Sequence, residues 1–190
     1  MEIQQDNVSP DLAALIARAE RAGRGTPPVE RWEPPFCGDI DMTIRADGSW
    51  TYQGTPIARP ALKRLFSTVL RKDADGRTYL VTPVEKLGIA VEDAHFQAVE
   101  MVREIRGGEP VLSFRTDVGD VVAAGPEHPL CFAADPEAGF RPYLLVRGRL
   151  EARLTRPLAF DLAGLIEPDG ERHVVRSNGA AFAIPAELLS

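Results

Sequence analysis

Apolar and polar positions follow a helical period in only a few stretches of this chain and alternate over much of the rest. Apolar residues recur at helical spacing in residues 9–22, 59–70 and 160–166, which predicts three helices. Elsewhere the alternation and the turn dipeptides are typical of short strands joined by hairpins. The pattern therefore predicts an α+β protein rich in strands. Its strands are predicted within residues 39–54, 73–83, 85–93, 96–105, 111–125, 130–132, 143–154 and 171–185.

Proline and glycine interrupt the chain between the first helix and the strands. Residues 23–35, GRGTPPVERWEPP, contain prolines and glycines on both sides of a single tryptophan. Such a composition favours an extended arm over a helix or a central strand. We expect Trp32 to pin this arm to the core, and we assign residues 1–34 to an N-terminal helix and arm.

The two halves of the remaining chain resemble each other. Each half has a hairpin, then a short amphipathic segment (LKRLFSTVL or LAFDLAGLI), then a pair of strands. Asp75-Gly76 aligns with Asp169-Gly170, and Leu80-Val81 aligns with Val174-Val175. Repeated order of this kind indicates a duplicated structural unit. We therefore predict two similar α+β lobes, residues 35–104 and residues 105–190.

Composition excludes some functions and partners. A formal net charge of -6 and a pI near 5.2 argue against binding a nucleic-acid polymer, which requires a broad basic surface. Cys37 and Cys131 lie far apart and outside any zinc spacing, so we expect reduced, buried cysteines and no metal. No apolar run is long enough to span a bilayer, and the N-terminus lacks the features of a signal peptide. We expect a cytoplasmic bacterial protein without a cofactor and without a membrane partner.

No motif in the chain identifies a catalytic reaction. The sequence has no nucleophile elbow, phosphate-binding loop, zinc-protease motif or dinucleotide fingerprint. His95 follows a short polar run beside Phe96, and we interpret it as a structural histidine rather than a general base. The carboxylates of Asp39 and Asp41 fit a solvated strand face better than a metal site, and the aspartates at 117 and 120 fit a turn. We predict no catalytic residue and a non-enzymatic function.

Basic residues beside tyrosines provide the best candidates for a ligand site. Arginine and lysine near a helix start can hold a phosphate or a carboxylate, although surface ion pairs would explain the same residues. A seam between two lobes is a common location for such a site. The alternative function is a protein-interaction module that docks a partner chain on this cleft or on a sheet edge. The candidate ligand contacts are Tyr52, Gln53, Arg59, Pro83, Glu85, Lys86, Tyr143, Arg147 and Arg149.

Several segments of the chain resemble an uncharacterised proteobacterial family, domain of unknown function 1285. The resemblance is carried by PFCGDIDM, DGSWTYQGTPIAR, LKRLFSTVLRKD, YLVTPVEK, VEDAHF and RPYLLVRGRLEARL, from about residue 35 to the end. It implies a duplicated α+β core whose C-terminal lobe is similar to pleckstrin-homology folds. It also implies a nucleotide-like ligand at the lobe interface and a role in signal transduction, with no assigned catalytic residue.

Overall fold

The computed structural model describes residues 10–23, 25–136 and 139–189. Contacts between backbone positions divide them into two compact units. The first unit comprises the described parts of 1–43 and 49–90, and the second comprises 44–48 and the described parts of 91–190. The boundary that we predicted at residue 104 falls inside a strand of the second unit, Phe96–Arg106.

The first unit consists of two helices and a six-stranded sheet. Helix α1 (Pro10–Arg21) begins with a proline in its first turn and buries Leu15 and Ala19, which lie one turn apart on the same face. It packs against helix α2 (Pro60–Thr68). The sheet has the strand order β3-β2-β1-β6-β5-β4. Its strands are β1 (Phe36–Ile44), β2 (Trp50–Tyr52), β3 (Thr55–Pro56), β4 (Leu70–Lys72), β5 (Thr78–Val81) and β6 (Lys86–Val91).

The arm between α1 and β1 is attached to the first unit as predicted. Residues 29–31 form a single 3₁₀ turn, and the side chain of Trp32 packs against Val29, Tyr79 and Val81. Val81 is completely buried in this cluster. The expectation that Trp32 pins the arm to the core is confirmed.

The second unit contains a six-stranded sheet, a three-stranded sheet and one helix, α3 (Arg156–Ala163). The larger sheet has the order β10-β11-β12-β7-β8-β9. Among its described strands, β12 and β7 pair in parallel and the other neighbours pair antiparallel. The smaller sheet is an antiparallel meander. The strands are β7 (Phe96–Arg106), β8 (Glu109–Thr116), β9 (Val121–Ala123), β10 (Leu130–Asp135), β11 (Gly139–Arg147), β12 (Leu150–Leu154), β13 (Glu167–Asp169), β14 (Arg172–Ser177) and β15 (Ala180–Ile184).

The two units share the repeat predicted from the sequence. In the first unit α2 is followed by the meander β4-β5-β6, and in the second α3 is followed by β13-β14-β15. The aligned turn glycines, Gly76 and Gly170, both have positive φ, 81° and 64°. The aligned pairs Leu80-Val81 and Val174-Val175 are all buried. The duplicated α+β fold is confirmed, with β7–β10 as the additional strands of the second unit, whereas the pleckstrin-homology likeness stays a prediction.

The expected burial of the cysteines is wrong. Cys37 and Cys131 are free thiols, and both are exposed. On the edge strand β10 the alternation places Leu130 in the core, so that its neighbour Cys131 points away from it. The thiol of Cys37 lies near the start of β1, at 3.4 Å from the Pro35 carbonyl oxygen. Composition alone does not distinguish the two faces of a strand.

The described helices are all short. None of them is long and apolar enough to cross a membrane.

Candidate functional site

An arginine-lined cavity lies within the second unit, where the edge of its larger sheet meets α3. The cavity has a volume of about 140 Å³. Its polar walls carry more positive than negative charge, and its remaining walls are apolar. The lining residues are Asp135, Phe140, Arg141, Pro142, Arg153, Leu154, Arg156 and Ala159.

Strand register brings the polar residues of this cavity together. Tyr143 on β11 lies opposite Arg153 on β12, and Arg141 shares the face of Tyr143 because it precedes it by two residues. A β-bulge between Leu145 and Arg147 sets this register. Without the extra residue, the ladder would place an apolar residue of β12 opposite Tyr143.

Two carboxylates hold two of the arginines in place. Asp93 accepts a hydrogen bond from the Tyr143 hydroxyl at 2.6 Å and another from Arg153 Nη1 at 3.0 Å. Asp135 accepts a bond from Arg141 Nε at 2.9 Å and lies 3.8 Å from Arg153 Nη2. Each guanidinium is therefore fixed by a charge-assisted contact before any ligand arrives.

The surroundings of Tyr143 make its hydroxyl harder to ionise. Burial raises the pKa of Tyr143, and the hydrogen bond to Asp93 raises it further, although the nearby Arg141 acts in the opposite direction. A protonated Tyr143 can donate to Asp93 throughout the physiological pH range. The paired groups, Arg141 and Arg153 with Asp93 and Asp135, then sum to zero charge.

Arg156 adds a positive charge that this network does not neutralise. It is the first residue of α3, it is exposed, and its side chain makes no hydrogen bond or ion pair with the part of the chain that the structure describes. The hydroxyl of Thr155, at the N-cap, makes no capping bond to α3. The start of the helix thus contributes further positive potential to the cavity.

An apolar groove continues from the cavity along α3. It has a volume of about 500 Å³ and shares Phe140, Arg156 and Ala159 with the cavity. The ring of Phe160 also lines it and is 81% exposed, an unusual position for so large an apolar side chain. The arrangement can take an anionic group at the arginines and an apolar or flat group on the adjoining groove.

The six predicted contacts of the first unit have varied surroundings. Tyr52 is buried, and burial raises its pKa, whereas Gln53, Arg59 and Pro83 are exposed. Glu85 pairs with an arginine of α1.

Lys86, the last of these six residues, already has partners within the first unit. Its Nζ lies 3.0 Å from Asp73 and 4.5 Å above the ring of Tyr79. Glu85 and Lys86 therefore both belong to ion pairs within the first unit. This is what the ion-pair explanation of the charged residues expected.

The bulge in β11 directs Tyr143 and Arg147, two of the three contacts predicted for the second unit, to different faces of the sheet. Tyr143 joins the arginine network, but Arg147 is turned to the face that carries Leu150. There it pairs with Asp120 and lies 5.0 Å from the ring of Phe96. Arg149 is exposed in the turn before β12. A single ligand that contacts all nine residues stays a prediction.

The remaining candidate residues have structural partners. His95 is 3% exposed and its Nδ1 accepts the backbone N–H of Glu151 at 3.1 Å, which is consistent with a structural histidine. Asp39 forms a surface pair with Arg77, and Asp117 accepts the backbone N–H of residue 97. Within residues 10–23, 25–136 and 139–189, no group of three or more histidine, cysteine or acidic residues could hold a metal ion.

The fold and the cavity together define a strand-rich α+β protein of two repeated units with an arginine-lined pocket in the second unit. Sequence profiles identify it further. The N-terminal domain of DUF1285, a domain of unknown function, matches residues 27–94, and the C-terminal domain of DUF1285, a protein of unknown function, matches residues 95–184. The chain belongs to the DUF1285 family.

Two crystal structures from this family resemble the chain. A DUF1285 family protein from Silicibacter pomeroyi DSS-3 is 47% identical, with a TM-score of 0.82, over 90% of this chain and 93% of that chain. A DUF1285 family protein from Shewanella baltica OS155 is 26% identical, with a TM-score of 0.51, over 65% of this chain and 90% of that chain. The curated proteins that were compared include no match.

Proposed function

We propose that this protein is a non-enzymatic binding protein for a small, nucleotide-like anion, and that the second unit holds the anionic group. The observation that carries the proposal is the convergence of Arg141, Arg153 and Arg156 on one cavity of about 140 Å³. Arginine matches the geometry of phosphate and carboxylate oxygens with two parallel hydrogen bonds.

The arginines that Asp93 and Asp135 hold are suited to positioning a ligand, and Arg156 is suited to attracting it. Because Arg141 and Arg153 are already fixed, little side-chain entropy is lost when an anion joins them. Arg156 has no carboxylate partner among the described residues to displace. Its pairing with a phosphate therefore supplies the main new electrostatic contact.

The groove along α3 supports a ligand with a flat ring rather than a simple inorganic anion. The exposed ring of Phe160 and the side chain of Pro157 offer an apolar surface beside the arginines. A planar heterocycle that stacks on such a surface would remove Phe160 from water. A nucleotide combines both features at a compatible size, since small-molecule sites commonly measure a few hundred Å³.

We extend the proposal to a regulatory role in the cytoplasm, in which the bound molecule is a signal rather than a substrate. This role is the one that the family resemblance implies. The six contacts predicted for the first unit, from Tyr52 to Lys86, stay part of what we propose. The absence of a recognisable catalytic motif in the sequence fits a protein that binds its ligand unchanged.

The experiment is a thermal-shift and calorimetric comparison of purified protein with AMP, cyclic AMP, GMP, ATP and inorganic phosphate. A ligand at one hundred times its dissociation constant should stabilise the protein by about 2.7 kcal/mol. Arg156→Ala should weaken binding about tenfold, because one charge-assisted contact contributes about 1.5 kcal/mol. Phe160→Ala should weaken nucleotide binding without changing the binding of inorganic phosphate.

Two other arginines serve as controls. Arg172→Ala changes an exposed arginine on β14 and should leave binding unchanged. Arg149→Ala tests the contact predicted in the turn before β12, and a loss there with no loss in Arg156→Ala would place the ligand elsewhere. No stabilisation by any of the five compounds would contradict the proposal.

A further inference from the structure

The β7–β8 hairpin has one open edge. β7 pairs with β8 from Ala98 to Arg106, but on its other side β12 covers only residues 96–98. Within the part of the chain that the structure describes, no strand pairs with that side of residues 100–106. An open edge is a template for pairing with another strand.

The hairpin register shows which backbone groups point outward. The turn is Gly107-Gly108, so Arg106 and Glu109 form the closing pair and exchange hydrogen bonds. Alternation along the ladder then directs the N–H and C=O groups of Met101, Arg103 and Ile105 away from β8. Pro110 lies opposite Ile105, in a pair that exchanges no hydrogen bonds. Because proline has no N–H to donate, its presence there agrees with this assignment.

Two apolar side chains on this open edge are exposed to solvent. Val102 is 45% exposed and Ile105 is 61% exposed. All residues from 102 to 106 are exposed, so neither face of this segment is covered. Apolar residues on an open strand edge are typical of a surface that another strand completes.

We propose that β7 of one molecule pairs antiparallel with β7 of a second copy, around a two-fold axis that passes through Arg103. The charges along the edge support a second copy as the occupant. In this register Glu100 lies opposite Arg106 of the partner copy, and Met101 lies opposite Ile105 of the partner copy. The symmetry makes each pairing occur twice.

The neighbouring register is less favourable. An axis through Val102 would place Glu100 opposite Glu104 of the partner copy, which sets two like charges against each other twice. In the proposed register the only like-charge pair is Arg103 with its own copy. Glu100 and Arg106 already pair within the chain, with Arg115 at 2.7 Å and Glu104 at 2.6 Å, so the new contacts extend these pairs into networks.

The register can be tested by exchanging charges in the full-length protein. Sedimentation equilibrium over a concentration series should show a monomer–dimer equilibrium for the wild type. Glu100→Lys and Arg106→Glu should each weaken the dimer roughly tenfold, because each replaces two attractive pairs with two repulsive ones. The double variant restores opposite charges and should return the dissociation constant to near the wild-type value.

Two further variants test the centre of the interface and its apolar contacts. Arg103→Thr removes the opposed arginines and should tighten the dimer, whereas Ile105→Lys should weaken it by at least about tenfold. Val121→Lys is the matched control, because Val121 is 68% exposed on β9, at the far edge of the same sheet. A wild type that stays monomeric throughout, or a double variant weaker than both single variants, would overturn the proposal.

Discussion

Removal of the Arg71 side chain should strongly destabilise the first unit. Its side chain is 6% exposed, and Nη1 donates to the carbonyl oxygens of Val29 at 2.8 Å and Trp32 at 2.7 Å. Its Nε donates to Asp73 at 2.6 Å. One guanidinium thus joins the arm to β4, and the fork geometry of arginine makes this possible.

The cost of Arg71→Met follows from these contacts. Methionine keeps most of the apolar stem but leaves the Trp32 carbonyl without the guanidinium donor, at about 1–3 kcal/mol for a buried group. The Val29 carbonyl also loses the guanidinium but keeps the backbone N–H of Trp32 at 3.3 Å. Asp73 loses one cation but keeps Lys86 at 3.0 Å and is 21% exposed. The penalty should therefore lie at the lower end of the range for a broken buried pair, at about 3 kcal/mol. Arg71→Lys keeps the charge without the fork and should cost about 1–2 kcal/mol.

Urea unfolding followed by tryptophan emission measures this cost directly. The chain has two tryptophans, Trp32 and Trp50, and both belong to the first unit. Arg77→Met is the matched control, because Arg77 is an exposed arginine that pairs with Asp39 at the surface, where solvent screens the pair and little stability depends on it. A loss of stability in Arg71→Met no larger than that in Arg77→Met would refute the structural role of Arg71.

Two further predictions concern acid stability and a buried hydroxyl. Burial favours a higher pKa for Asp73, but hydrogen bonds from Arg71 and Lys86 lower it below its usual value. Its contribution is therefore complete above the unfolded pKa of about 3.9 and is lost as the pH falls through the lower folded value. The urea midpoint of the wild type should fall more steeply below about pH 4 than that of Asp73→Asn. In the second unit, Ser177 Oγ accepts the N–H of Leu112 at 2.8 Å and donates to Ala124 at 2.7 Å. Ser177→Ala should cost about 1–3 kcal/mol, measured by circular dichroism during urea unfolding, and a neutral result would contradict this assignment.

Local signals in the sequence were sufficient to predict the repeated units but not the cavity. A helical period followed by alternating strands and an Asp-Gly turn can be recognised within about twenty residues. The cavity depends on the pairing of Tyr143 with Arg153, which an undistorted ladder from the turn at Gly148 would not produce. A one-residue bulge leaves no distinctive pattern in a single sequence. Arg153, Arg156 and Phe160 were accordingly absent from the predicted site.

The repeated helices α2 and α3 expose different residue types at equivalent positions. Alignment of LKRLFSTVL with LAFDLAGLI places Phe160 at the position of Arg64, and both residues are exposed. In the first unit the helix itself supplies the positive charge, whereas in the second unit Arg141 and Arg153 supply it from β11 and β12, and the helix supplies an aromatic ring. A ligand with both an anionic group and a flat ring therefore matches the second unit better than the first. Phe160→Arg would recreate the chemistry of α2 on α3, and it should retain the binding of inorganic phosphate while weakening the binding of a nucleotide.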